Sequence, residues 1–83
     1  MKYRVDILRS AEKEMARFPV RTMERIKAAI RALADNPRPR GCRKLKQDIY
    51  RIRVGDYRIV YIVDDRRREV DVTAVADRKD AYG

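Results

Sequence analysis

Apolar and polar residues alternate from Lys2 to Leu8. Tyr3, Val5 and Ile7 fall on one side, Arg4 and Asp6 on the other. A period of two predicts a half-buried strand. The period then lengthens. Ala11, Met15 and Phe18 recur at the spacing of one helix face, and Pro19 ends that run. Ser10 stands where an N-cap is expected, and Lys13 occupies the place of the Glu that would complete a capping box. A second stripe, Met23, Ile26, Ile30 and Leu33, predicts a longer helix from about Val20 to Asp35, with Arg21, Arg25 and Arg31 mainly off the stripe. Asn36 suits its C-cap and Pro37 cannot continue it. With almost no chain between them, the two helices should form an antiparallel hairpin whose stripes are core.

The segment PRPRGCRKLKQ reads as a basic loop, and three strands follow at about Ile49–Val54, Tyr57–Val63 and Glu69–Ala76. Gly55-Asp56 is a two-residue turn, with Gly supplying positive φ, and a turn of that length fixes the register. Val54 then faces Tyr57, Arg53 faces Arg58, Ile52 faces Ile59, Arg51 faces Val60, and Tyr50 faces Tyr61. One sheet face carries Tyr50, Ile52, Val54, Tyr57, Ile59 and Tyr61 and should cover the helices. The other gathers Arg51, Arg53 and Arg58 near the turn. If Arg66-Arg67 is the tip of the next turn, Val63 pairs with Val70 and Tyr61 with Val72, which puts Val70, Val72 and Ala74 on the apolar face. The last strand then ends beside Gly55-Asp56, so Arg78 emerges near Arg53 and Arg58, and Tyr82 can fold back over them. The expected architecture is α+β, in the order β-α-α-β-β-β. A helical hairpin packs on one face of a mainly antiparallel four-stranded sheet, in a single domain over residues 1–83.

Charge changes this picture. The chain has 22 Lys and Arg against 13 Asp and Glu, a net charge of +9. From Arg38 to Arg58 there are eight basic residues and two acidic ones. A small domain so basic is built to meet a polyanion, nucleic acid or an acidic partner. Like charges facing one another across a ladder cost several tenths of a kcal/mol, so the Arg53–Arg58 pair works against the fold. Such local conflicts cluster at functional sites. The bland alternative is that Asp56, Asp77 or Asp80 neutralises the patch. Cys42 is the one cysteine, which excludes a disulfide framework and a thiolate metal site, and without any His it has no partner to activate it. The N-terminus has no apolar signal region and no apolar run reaches membrane-spanning length, so a cytoplasmic location away from any membrane is expected.

Clustered guanidiniums bind phosphates through paired N–H groups. With a tyrosine added, two chemistries open. The ring can stack on a base, as in single-strand binding. Alternatively, the site can cleave RNA through its own 2′-hydroxyl, which needs a base, charge stabilisation at phosphorus and help for the leaving 5′ oxygen. A two-histidine mechanism is excluded by composition. The carboxylates are scattered, with Asp64-Asp65 expected at the opposite end of the sheet from the arginines, so no metal or other cofactor is expected. Arginine stays protonated and cannot be the base. Tyr82 could be, since nearby cations lower a phenol's pKa, and arginine would then stabilise the dianionic transition state.

The opening strand and helix hairpin, then KLKQDIYRIRVGDYRIVYIVDD, then VTAVADRKDAYG, together resemble the RelE branch of the RelE/ParE toxins of bacterial toxin–antitoxin systems. The resemblance covers nearly the whole chain. It implies a ribosome-dependent endoribonuclease that cleaves mRNA in the A site without a metal. It also implies a cognate antitoxin that wraps the toxin in a hetero-oligomeric complex. Carried over by motif, the catalytic set is Arg51, Arg53, Arg58, Arg78 and Tyr82. Tyr82 is the base, Arg58 the phosphate clamp, and Arg78 the stabiliser of the transition state or the helper of the leaving group. Arg43, Lys44 and Lys46 would hold RNA by charge. The chain departs from the pattern in two places: relatives often carry lysine at the positions of Arg51 and Arg53, and Gly-His or Gly-Lys where this chain has Ala76-Asp77. The alternatives are a ParE-like poison of DNA gyrase, an RNA-binding module without catalysis, and a toxin inactivated by Asp77.

Overall fold

The computed structural model describes residues 2–77. Strand β1 (Arg4–Ile7) leads into two helices, α1 (Arg9–Met15) and α2 (Val20–Ala32), followed by β2 (Arg43–Lys46), β3 (Ile49–Val54), β4 (Tyr57–Asp64) and β5 (Glu69–Asp77). The sheet has five strands in the order β1-β5-β4-β3-β2. All neighbours are antiparallel except β1, which runs parallel to β5 and pairs Val5 with Val70 and Ile7 with Val72. The expected α+β class and helical hairpin stand. The expected four strands do not, because Arg43–Lys46, read as loop, is an edge strand on β3. All four of its residues are exposed. An edge strand needs no apolar face, and lysine is a common guard of such edges, so its pattern carried no strand signal.

The apolar stripes do what their spacing predicts. Ala11 and Met15 of α1, and Ile26 and Ile30 of α2 with Leu33, are buried with Tyr50, Ile52, Ile59, Tyr61, Val63, Val70, Val72 and Val75 of the sheet. The helix ends differ from expectation. Helix α1 starts a residue before Ser10, with Leu8 as N-cap. Ser10 instead donates its hydroxyl to the Thr73 carbonyl at 3.1 Å. Helix α2 ends at Ala32, and the N–H groups of Leu33 to Asn36 close a tighter turn onto carbonyls of its last residues. Asn36 is therefore no C-cap; its side-chain oxygen accepts the Arg38 N–H.

The β3–β4 register is as expected, including Arg53 opposite Arg58. The β4–β5 ladder starts as expected, with Val63 opposite Val70 and Tyr61 opposite Val72, then shifts by one residue at Val60. Thr73 is the extra residue of a β-bulge, and its hydroxyl donates to the Val60 carbonyl at 3.2 Å. Beyond a bulge the alternation inverts. Val75, not Ala74, is therefore the third inward residue of β5, and it is fully buried. Past Ile7, where β1 stops, α1 covers the outer edge of β5. Ser10 takes the Thr73 carbonyl, and Glu14 accepts the Val75 N–H at 3.2 Å. Among the described residues no helix is long and apolar enough to cross a membrane.

Candidate active site on the outer face of the sheet

The helices cover one face of the sheet, and the arginines stand on the other. Residues directly opposite in antiparallel strands share a face. Two rows follow from the register. Arg43, Arg51, Val60 and Ala74 lie across β2, β3, β4 and β5, and Arg53, Arg58 and Ala76 lie across β3, β4 and β5. Arg51 and Arg58 are half-buried, and Arg53 and Arg43 are exposed. The bulge matters here, because without it Thr73 and Val75 would stand on this face in place of Ala74 and Ala76. Two methyl side chains leave an open floor beside four guanidiniums. The sequence carries the signal in the spacing of the buried valines, 70, 72 and then 75, where strict alternation would demand 74.

Of the expected RNA-binding residues, Arg43 and Lys46 share this face, opposite Arg51 and Ile49. Lys44 stands opposite Tyr50 and so belongs to the helix-covered side. A shift in the β2–β3 register between Lys44 and Lys46 separates them. Strand β5 ends at Asp77 opposite Tyr57, beside the Gly55-Asp56 turn, where Gly55 adopts the left-handed φ of 60°. Arg78 and Tyr82 lie outside the described residues. Among the described residues Asp56 forms no ion pair, so it does not neutralise the patch.

The other end of the sheet holds a network that the sequence did not reveal. Arg38 donates from both terminal nitrogens to Asp65, at 2.6 and 3.2 Å, and from Nε to the Tyr50 hydroxyl at 3.0 Å. Tyr3 donates to the same carboxylate at 2.6 Å. The Arg38 guanidinium beside it, aided by Tyr3, holds the Asp65 carboxyl below its usual range. Asp65 in turn raises the Tyr3 phenol. The buried Tyr61 hydroxyl donates to the Pro37 carbonyl at 2.7 Å, and burial followed by Cys42 pushes its pKa up. These contacts fix residues 36–38 to the sheet, a few residues before β2. Arg38, counted among the basic loop, is thus committed to structure.

The molecule therefore offers a phosphate-binding face with an open floor at one end and a neutralised anchor at the other. The family described as "ParE toxin of type II toxin-antitoxin system, parDE" matches residues 5–82. The RelE toxin of Mycobacterium tuberculosis is 33% identical over 88 residues, covering 96% of this chain and 86% of that protein. This chain belongs to the RelE branch of the RelE/ParE toxin superfamily. Its fold agrees with solved RelE structures. The RelE of an archaeal RelE–RelB complex from Pyrococcus horikoshii superposes with a TM-score of 0.87 at 29% identity, over 94% of this chain and 97% of that one. The corresponding chain in the intact E. coli RelBE toxin–antitoxin complex gives 0.78 at 27% identity, over 90% and 95%. For a RelE-branch toxin, the outer arginine face is the natural candidate for the site.

Proposed function

We propose that the chain is a ribosome-dependent endoribonuclease of the cytoplasm. It would cleave mRNA in the A site by metal-free 2′-hydroxyl attack, and a cognate antitoxin would hold it inactive in a hetero-oligomeric complex. The observation that carries this reading is the pairing of Arg53 with Arg58 and of Arg43 with Arg51 on one face, beside the methyl floor of Ala74 and Ala76. The presence of RelB in the complexes of its structural relatives supports an antitoxin partner.

The chemistry follows from the residue types. The 2′-oxygen attacks phosphorus as its proton passes to a base, the bond to the 5′ oxygen breaks, and that oxygen takes up a proton. The products are a 2′,3′-cyclic phosphate and a 5′-hydroxyl. Tyr82, four residues beyond Arg78, is the base candidate. Arg58 holds the non-bridging oxygens, and Arg51 and Arg53 add positive potential where charge develops. Arg78 stabilises the transition state or assists the leaving group. Arg43, Lys44 and Lys46 hold the strand by charge; Lys44, on the far side of the edge, contributes at longer range.

The test uses purified ribosomes stalled at a defined A-site codon, with mapping of mRNA ends. Cuts by the wild type that vanish in Arg58→Ala, Arg78→Ala and Tyr82→Phe are the expected result. Absence of cuts with ribosomes still bound would favour a binding module or an inactivated toxin. The ParE name of the matching family supports one further reading, a gyrase poison. Inhibited supercoiling without any mRNA cut would select it.

A further inference from the structure

We propose that the helix side of the β3–β4 turn holds a second phosphate subsite. It would be built by Arg25 and Thr22 of α2 around Gly55 and would take the phosphodiester of a nucleotide flanking the one cleaved. This rests on the ribonuclease reading and carries the RNA path around the tip of the hairpin.

Three observations lead there. First, the Arg25 guanidinium lies over the turn, so that a methyl at Gly55 would sit 3.6 and 3.7 Å from its two terminal nitrogens. Second, a cavity of about 270 Å³ opens at this place, lined by Thr22, Arg25, Val54, Gly55, Asp56 and Tyr57. Third, among the described residues neither Arg25 nor Asp56 forms an ion pair. Across the turn lies a narrower cleft, lined by Arg53, Gly55, Asp56, Tyr57 and Arg58. Gly55, Asp56 and Tyr57 are common to both, so the turn is a thin wall with guanidiniums on either side.

A planar guanidinium grips two oxygens of one phosphate, and a neighbouring hydroxyl can add a third donor. Arg25 and Thr22 lie three residues apart and so neighbour each other on one helix face. With Gly55 presenting bare backbone, a strand leaving Arg53 and Arg58 can bend over the tip and place its next phosphate there. Asp56 shares the cavity and repels an anion. Its removal therefore has a defined sign: it should tighten a phosphate, and it should loosen any ligand that uses the carboxylate as an acceptor.

The experiment measures binding of a short, unstructured, 2′-O-methylated RNA to the full chain across a salt series. Arg25→Ala should weaken binding several-fold and flatten the salt dependence by about 0.7 in log–log slope, the share of one phosphate on a single strand. Arg53→Ala should do the same. Arg31→Ala, which removes the same charge from an exposed position farther along α2, should leave the slope unchanged, and Asp56→Asn should tighten binding. If Arg25→Ala behaves like Arg31→Ala while Arg53→Ala weakens binding, the subsite is overturned and the RNA face stands. If neither Arg25→Ala nor Arg53→Ala has an effect, the RNA reading fails and the subsite with it. Weaker binding by Asp56→Asn would overturn the phosphate assignment alone.

Discussion

At the Asp65 end of the sheet, Arg38 donates two N–H groups to one carboxylate and a third to Tyr50, and Tyr3 closes the same carboxylate from the other side. At the Gly55 end, Arg53 faces Arg58 across the ladder, Arg43 faces Arg51, and Arg25 lies over the turn. The residue type is the same and its use is opposite. One end matches its arginine to acceptors and fixes a loop in place. The other brings cations together and gains nothing for the fold by doing so. Composition alone cannot separate these uses, because every arginine adds equally to the net charge. Position relative to a carboxylate separates them.

If that contrast is real, substitutions at the two ends must fail in different assays. Arg58→Ala should produce the largest effect, a loss of A-site cleavage of about 10²–10³-fold, the usual consequence of removing one donor from a developing oxyanion. Its thermal midpoint should stay level or rise, since a cross-strand repulsion with Arg53 is relieved. A fall in stability parallel to the loss of cleavage would assign Arg58 to the fold and erase the contrast.

Ala76→Leu sharpens the same point without touching charge. Ala76 stands opposite Arg58, half-buried on the methyl floor. A larger side chain there should displace bound RNA by about 1 Å or more and lower cleavage about tenfold or beyond. The helix-side core lies on the opposite face, so urea unfolding should be unaffected. Unchanged cleavage would move the site off this floor.

At the anchored end the order of effects reverses. Tyr61→Phe leaves the Pro37 carbonyl without its 2.7 Å donor in a fully buried place. The expected cost is about 1–3 kcal/mol in urea unfolding, with cleavage per folded molecule retained. The raised phenol pKa also sets a pH signature. The contribution is fully present below the ordinary tyrosine range and is lost as pH rises through the higher folded value. Tyr61→Phe should therefore flatten the alkaline limb of the stability curve.

The sequence made much of this legible, and the gaps have physical causes. Turn length and alternation were enough for the β3–β4 register, because Gly55-Asp56 leaves one pairing that buries Ile52 and Ile59 together. The arginine face followed from it. Strand β2 was hidden because an exposed edge has no burial period to detect. The bulge at Thr73 was visible only as a break in the valine spacing, and it decides that Ala74 and Ala76, not larger residues, line the site. Ser10 looked like a cap because its residue type suits one, yet its hydroxyl found a sheet carbonyl instead. The Arg38–Asp65 pair could not be read at all, since 27 residues of chain separate two partners that only the folded sheet brings together.

The smallest predicted effect tests the anchor through that pair. Arg38 first, and Tyr3 second, depress the Asp65 pKa. A depressed carboxyl stabilises the fold above its unfolded pKa and loses that contribution as pH falls through the folded value. Asp65 is more than half exposed, so solvent screens the pair and the gain is modest. Asp65→Asn should lower the thermal midpoint at neutral pH by less than Tyr61→Phe does. It should also make the decline below about pH 4, the ordinary aspartate range, shallower than in the wild type. Cleavage per folded molecule should not change. An acid limb identical to that of the wild type would mean that Arg38 is held by Tyr50 rather than by charge. A loss of cleavage at full occupancy of the native state would mean that the two ends of the sheet are coupled.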